Sequence, residues 1–262
     1  MKLALDEYAH LDSPFHRWDP RCKLVGFLAI IFAFSFVRDL HMLVAMVVVT
    51  VTIYIISRLP FSFMLRRLRY PSFFLLAVVL ILPFLAGQTI VRSIGPFDVR
   101  QEGLLAVLLI ATRFLSILTI GLILFGTAPF LTTIKAMRAL GLPAILAAML
   151  LLSFRYLHEL GGDLRKMQTA MSLRGFHRHR FSPRGLRILA WLGGSILVRS
   201  YERSEWVYKA MLLRGYVHAP HPRAEFQTHS RDIITLGVFL LIAAGFIVGD
   251  ILYGFGSAAL LQ

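Results

Sequence analysis

Five apolar stretches, each bounded by charged or turn-forming residues, leave this chain no economical way to fold in water: Leu24 to Val37, His41 to Ser57, Pro71 to Gly87, Leu104 to Thr127 and Ile233 to Tyr253. A spanning helix takes about 20 mainly apolar residues, and lipid offers no hydrogen-bond partner to an open backbone, so runs of this kind are expected to cross a bilayer as helices. The first is short unless it begins within the Arg21-Cys22-Lys23 turn. Composition agrees. The 262 residues are 57% apolar and 16% charged with a mean hydropathy of +0.71, where a soluble domain has about 45–50% and about 25%. The single cysteine, Cys22, excludes an intrachain disulfide and any cysteine-based zinc or iron–sulfur site. Asp6, Glu7, His10 and Asp12 precede the first apolar run, unlike the basic start of a cleaved signal peptide, so that run is expected to be retained. The expected fold is all-α: a polytopic membrane helical bundle of about five transmembrane helices, with a helical cytoplasmic domain inserted before the last. The expected parts are residues 1–127 with four spans, 128–232 as the inserted domain, and 233–262 as the final span.

The net charge of +14 is unevenly placed. Lys2, Arg17, Arg21 and Lys23 precede the first span, Arg38 stands alone in the next loop, and Arg58, Arg66, Arg67 and Arg69 follow the second span. Arg92 and Arg100 are balanced by Asp98 and Glu102 in the loop from Gln88 to Gly103, whereas Ala128 to Asp232 holds sixteen Lys or Arg against six acids. By the positive-inside rule the N-terminus and the 128–232 segment lie in the cytoplasm, and five spans leave the C-terminus outside. Such a segment also suits anionic lipid headgroups, at about 1 kcal/mol per cation near the surface. Nucleic acid is not expected, because the cations are spread along membrane-tethered amphipathic helices without a recognisable nucleic-acid module.

Within this segment Leu142 to Leu160 is apolar until Arg155, and is expected to lie in the interface or reach into the membrane. Asp163 to Leu173 and Tyr201 to Leu213 read as charged helices ended by Gly175 and Gly215, with apolar Leu186 to Val198 between them. Their ends repeat. Ala170-Met171-Ser172-Leu173-Arg174-Gly175-Phe176 returns forty residues later as Ala210-Met211-Leu212-Leu213-Arg214-Gly215-Tyr216. Each glycine can take the left-handed conformation of a C-terminal cap, which holds the arginine at a helix tip. An arginine there complements the helix dipole for about 0.3–1 kcal/mol, but capping asks for neither the alanine nor the methionine. Small Ala170 and Ala210 suit close helix packing, flexible Met171 and Met211 suit an adaptable contact surface, and a guanidinium offers a fork of donors to a carboxylate on another chain. Two such tips make a two-point dock.

The chain resembles the transmembrane coupling subunit, or T component, of energy-coupling-factor ABC importers (the CbiQ/EcfT family), and most of all its cobalt and nickel branch. The resemblance rests on Leu11-Asp12-Ser13-Pro14-Phe15-His16, Asp19-Pro20-Arg21-Cys22-Lys23, Ser153-Phe154-Arg155-Tyr156, Val198-Arg199-Ser200-Tyr201-Glu202-Arg203-Ser204 and the two repeats. The family's paired Ala-Arg-Gly-like motifs map onto Leu173-Arg174-Gly175 and Leu213-Arg214-Gly215, with leucine in place of the first alanine in both. The resemblance implies that the two helices dock on two ABC ATPase subunits through Arg174 and Arg214. ATP-driven motion would then pass to a separate substrate-binding membrane subunit of metal type, an arrangement that leaves room for a small auxiliary membrane subunit and belongs beside cobalamin biosynthesis. A vitamin-type substrate-binding subunit, for biotin for instance, is the alternative. ATP and Mg would be bound by the ATPases, with no cofactor and no metal held by this chain.

No catalytic residue is expected. The chain lacks a G-x-x-x-x-G-K phosphate loop, and Gly193-Gly194-Ser195 lacks the G-x-S-x-G setting of a hydrolase nucleophile, which leaves a membrane-embedded enzyme as the outlying reading. His177-Arg178-His179 and His218-Ala219-Pro220-His221 sit among cations that oppose metal binding, so they read as solvated turns, a metal exit site being the alternative. Arg113, inside the fourth apolar run, is costly in lipid. It either faces the bundle interior in a functional role or snorkels to an interface.

Overall fold

The computed structural model describes residues 13–85, 90–94, 97–175, 183–215, 226 and 228–259. The chain is a polytopic helical bundle: α1 (Pro14–Arg17), α2 (Pro20–Phe36), α3 (Leu40–Ser57), α4 (Phe61–Leu85), α5 (Gln101–Gly126), α6 (Phe130–Ala139), α7 (Ala144–Leu173), α8 (Pro183–Leu213) and α9 (Ser230–Ala259). Between α4 and α5 a small antiparallel hairpin pairs β1 (Ile90–Ile94) with β2 (Phe97–Arg100), Ile94 opposite Phe97. It divides into two compact units, one of residues 1–136 with 224–262 and one of 137–223, the second lying inside the 128–232 segment.

Four helices among the described residues are long and apolar enough to cross a membrane: Leu40–Ser57, Gly103–Gly126, Ala144–Leu173 and Ser230–Leu252. Two of the five apolar runs fall outside that set for visible reasons. Helix α2 has 17 residues, about 26 Å of rise, and α4 carries Arg66, Arg67 and Arg69 in its second and third turns, ahead of an apolar run that continues to its end at Leu85. The addition is α7, in which the stretch from Leu142 to Leu160 and the charged stretch after it form one continuous helix.

In the first unit the core is a seam between α2 and α9, with α5 beside it. Phe27 and Phe34, seven residues apart on α2, meet Phe239 and Phe246, seven apart on α9, at ring-centroid distances of 5.2 and 5.0 Å. Matching steps in the same direction make the two helices parallel, so both start on one side of the bundle. Phe15 and Trp18 close that end, 5.4 Å from Phe27 and 5.0 Å from Phe239 respectively. Gly26 permits the approach, because a Cβ there would stand 3.2 Å from Trp18 and 3.3 Å from Phe239. Replacing it with leucine is expected to lower stability by about 1–3 kcal/mol through overpacking, measured as an earlier thermal unfolding transition in detergent. The outward faces stay apolar, with Val44, Ile55 and Leu241 exposed, as lipid-facing surfaces should be.

The Asp19-Pro20-Arg21-Cys22-Lys23 segment fixes this end. The Asp19 carboxylate caps α2 by accepting from the Arg21 N–H at 3.0 Å and also accepts from the Thr228 hydroxyl at 2.9 Å, just ahead of α9. Pro20 occupies the first helical position, where no N–H is needed. The Lys23 ammonium, only 2% exposed, donates to the Phe15 carbonyl at 3.1 Å and so ties α1 to α2. The Trp18 indole donates to the Asp232 carbonyl at 3.2 Å.

Candidate functional site

The two repeats form the same helix end twice. The Arg174 N–H donates to the carbonyls of Ala170 and Met171, and the Gly175 N–H to Ser172 at 3.0 Å. The Arg214 N–H donates to Ala210 and Met211, and the Gly215 N–H to Leu212 at 2.9 Å. Gly175 and Gly215 have φ of +83° and +71°. A left-handed residue reverses the chain just after the last turn, and glycine alone adopts it without strain from a Cβ. Both arginines and both glycines are exposed. Gly175→Ala and Gly215→Ala meet no atom within 4 Å, so their cost is conformational, about 1–2 kcal/mol each. The expected result is a frayed last turn at unchanged membrane abundance, read by amide hydrogen exchange at the tips and immunoblot together.

The alanines and methionines stand differently from the packing pattern that their sizes suggest. Ala170 and Ala210 are exposed, while Met171 and Met211 are half-buried, and Met211 lines a groove between α7 and α8 with Met149, Tyr156 and Leu160. The apolar residues that do project at the tips are Leu173 and Leu213, 84% and 90% exposed. They are the positions where leucine replaces the motif's alanine. Their sequence signal was the repetition itself, an apolar residue beside each arginine at a helix end that has nothing to bury it.

Upstream of the tips, Arg203 of α8 reaches α7. Its Nη1 lies 2.9 Å from Glu159 Oε1 and its Nη2 lies 3.5 Å from Asp163 Oδ2. The Nη1 approach is an ion pair without the alignment of a hydrogen bond. Lys166 also approaches Asp163, at 3.8 Å.

Arg113 lies on α5 in the first unit, where its guanidinium donates to the Val37 carbonyl at the end of α2. The other side of the same peptide group, the Arg38 N–H, donates to the Asp250 carboxylate of α9 at 2.7 Å. One peptide bond is thus held by a cation from one helix and an anion from another. The physical need is plain: the last carbonyls of a helix lack intrahelical partners, and lipid supplies none. Asp250, an acid in the last apolar run, carried that signal in the sequence.

Phe176, Tyr216 and the histidine turns at 177–179 and 218–221 lie outside the described residues, as does the 11–12 start of the N-terminal motif. Among the described residues no three His, Cys, Asp or Glu side chains converge as metal ligands. Ser195 lies on α8 between Gly194 and the apolar continuation of that helix, with no histidine or acid among the groove residues around it except Glu202.

A family model described as "Cobalt transport protein" (CbiQ) matches residues 12–224. A protein of Bacillus selenitireducens named "Energy-coupling factor transporter transmembrane protein EcfT" is 29% identical over 255 residues, covering 92% of this chain and 95% of the relative. One of the same name from Heliobacterium modesticaldum is 26% identical, covering 82% and 84%. A "Putative ABC transporter ATP-binding protein" of Bifidobacterium longum is 28% identical over 173 residues, 62% of this chain and 22% of that protein.

Proposed function

Because the chain belongs to the CbiQ cobalt transport protein family and is a multi-pass transmembrane T component of an energy-coupling-factor transporter, we propose that it carries ATP-driven motion from two ABC ATPase subunits to a substrate-binding membrane subunit. The carrying observation is the pair of like-built helix ends, each presenting an exposed arginine beside an exposed leucine. Arg174 and Arg214 dock in acidic grooves of the ATPases; Ala170, Met171 and Gly175 shape the first tip, and Ala210, Met211 and Gly215 the second. ATP and Mg are bound in the ATPases, and this chain performs no chemistry. A similar protein that is named as the ATP-binding protein of an ABC transporter, and of which the match covers 22%, supports the pairing.

The cargo reading is cobalt, or nickel, supported by the description of the family model; the ion is held by the partner membrane subunit, with a small auxiliary membrane subunit beside it. The relatives' printed names identify energy-coupling-factor transmembrane proteins, a description that a second reading, with a vitamin-binding partner, fits as well. The N-terminus and the 128–232 segment face the cytoplasm, the C-terminus the outside. Parallel α2 and α9 support this arrangement: taking α2 and α4 as spans beside α3 and α5, and α7 as lying in the cytoplasmic interface, the chain between α5 and α9 leaves from and returns to one side. Anionic lipids gather at the basic face.

Co-purification from native membranes tests the proposal. Two ATPases and a metal-binding membrane protein are the expected companions, with uptake of radioactive cobalt or nickel by the reconstituted complex. A vitamin-binding companion selects the second reading, and recovery without any ATPase overturns both.

A further inference from the structure

The contact between α7 and α8 falls at equivalent positions of the forty-residue repeat. Arg203 and Asp163 are forty residues apart, as are Arg214 and Arg174. Each member of the pair therefore stands eleven residues before its own tip arginine (163 to 174, 203 to 214) on uninterrupted helix. That makes two arms of about 16 Å at 1.5 Å per residue. Charge follows the same register with opposite sign: Glu159 and Asp163 on the first copy correspond to Arg199 and Arg203 on the second. The repeated string itself spans only 170–176 and 210–216, and the residues at matching distances upstream of it carry opposite charges. Here they attract.

The two helices touch over a short stretch rather than along their length. Ser200, Val207 and Met211, on the half of α8 that leads to Arg214, share a groove with Met149, Tyr156 and Leu160, on the half of α7 that leads away from Arg174. The tips consequently leave the crossing in different directions. At the crossing, Arg203 touches both carboxylates and is itself only 34% exposed. A planar guanidinium gripped at two points resists sliding and rotation better than apolar contact, which has no preferred direction.

We propose that Arg203, held between Glu159 and Asp163, is a positioning residue: the pivot of two equal arms that fixes the separation of the Arg174 and Arg214 tips. This rests on the docking reading above, since the separation matters only if both tips are engaged. Equal arms on a fixed pivot let two like ATPases be served by one asymmetric chain, and closure of the pair then turns both arms together.

The test uses the full transporter in proteoliposomes. Spin labels on cysteines at exposed Thr169 and Lys209, just over one turn before the tip arginines and outside the docking residues, report the tip-to-tip distance, while ATPase retention and uptake per ATP hydrolysed are measured separately. Arg203→Ala is expected to broaden the distance distribution and to lower uptake per ATP by roughly two- to thirty-fold, with ATPase retention within about twofold. Arg203→Met, which keeps the bulk without the charge, should fail as Arg203→Ala does, while Arg203→Lys, which keeps a cation between the two carboxylates, should restore part of both the distance and the coupling; loss of packing alone would not separate the two. An unchanged distance distribution and coupling ratio in Arg203→Ala overturns the pivot. The docking reading fails separately, if ATPases remain bound when the tip arginines are reversed, whatever the spin labels report.

Discussion

Reversing both tips, Arg174→Glu together with Arg214→Glu, is expected to release the ATPase subunits from detergent-solubilised complexes and to abolish uptake, while the membrane part folds as before. Truncating one partner of a buried, hydrogen-bonded interfacial charge pair costs about 2–5 kcal/mol. With about 1.4 kcal/mol per tenfold, each tip accounts for roughly thirty-fold or more in affinity. Reversal adds repulsion between carboxylates. Two tips on one chain engage with an avidity beyond either alone, so the single variants should retain some ATPase and the double variant none. Arg→Lys at either tip keeps the charge and loses the planar fork, and should fall between. Both tip arginines are exposed at the ends of their helices, so unfolding is not the expected cause. Unaltered retention in the double variant, measured by pull-down at physiological salt, would defeat the docking reading.

The second large effect belongs to the membrane unit. Arg113→Leu removes the donor on the Val37 carbonyl and the cation that the Asp250 carboxylate faces across the Val37–Arg38 peptide. An orphaned carbonyl, with an anion that has lost one of its neighbouring cations while Arg38 remains, should cost about 2 kcal/mol or more. The measurement is thermal unfolding in detergent, with membrane abundance beside it. Removing the charge of both, Arg113→Leu with Asp250→Asn, should recover part of the loss, because the amide still accepts from the Arg38 N–H while the stranded charge is gone. A single variant as stable as the parent would mean that Arg113 serves no such bond.

Most of the membrane architecture was legible in the sequence, because lipid enforces a coarse code of length and hydropathy. The tips were legible too, since a glycine after a repeated arginine has few conformational meanings. Boundaries inside the basic segment were not. Charge was taken to divide Leu142–Leu160 from Asp163–Leu173, and Leu186–Val198 from Tyr201–Leu213. The structure runs α7 through Gly161 and Gly162, and α8 through Gly193, Gly194 and Arg199. A change of polarity marks a change of surroundings and does not break a helix; an interior glycine costs only about 1 kcal/mol. The break between α6 and α7 comes instead with the left-handed Gly141, and Pro143 caps the start of α7.

What periodicity could not supply was pairing. Arg113 was visible as a cost in lipid, but its complement on α9 lies 137 positions along (113 to 250), and nothing local links them. The hairpin at Ile90–Arg100 likewise depended on a short loop whose charge balance gave no strand signal. Arg203 could be seen only once the repeat was laid on two crossing helices, because its meaning is a relation between copies.

Leu173 and Leu213, standing out at the ends of their helices, have a consequence for the life of the protein before assembly. A newly made copy with no neighbours displays two greasy knobs, the kind of feature that chaperones hold and membrane proteases grade for removal. If those knobs are covered only on assembly, a surplus over its companions is expected to turn over faster than the assembled protein, which pulse-chase with and without the ATPases would measure.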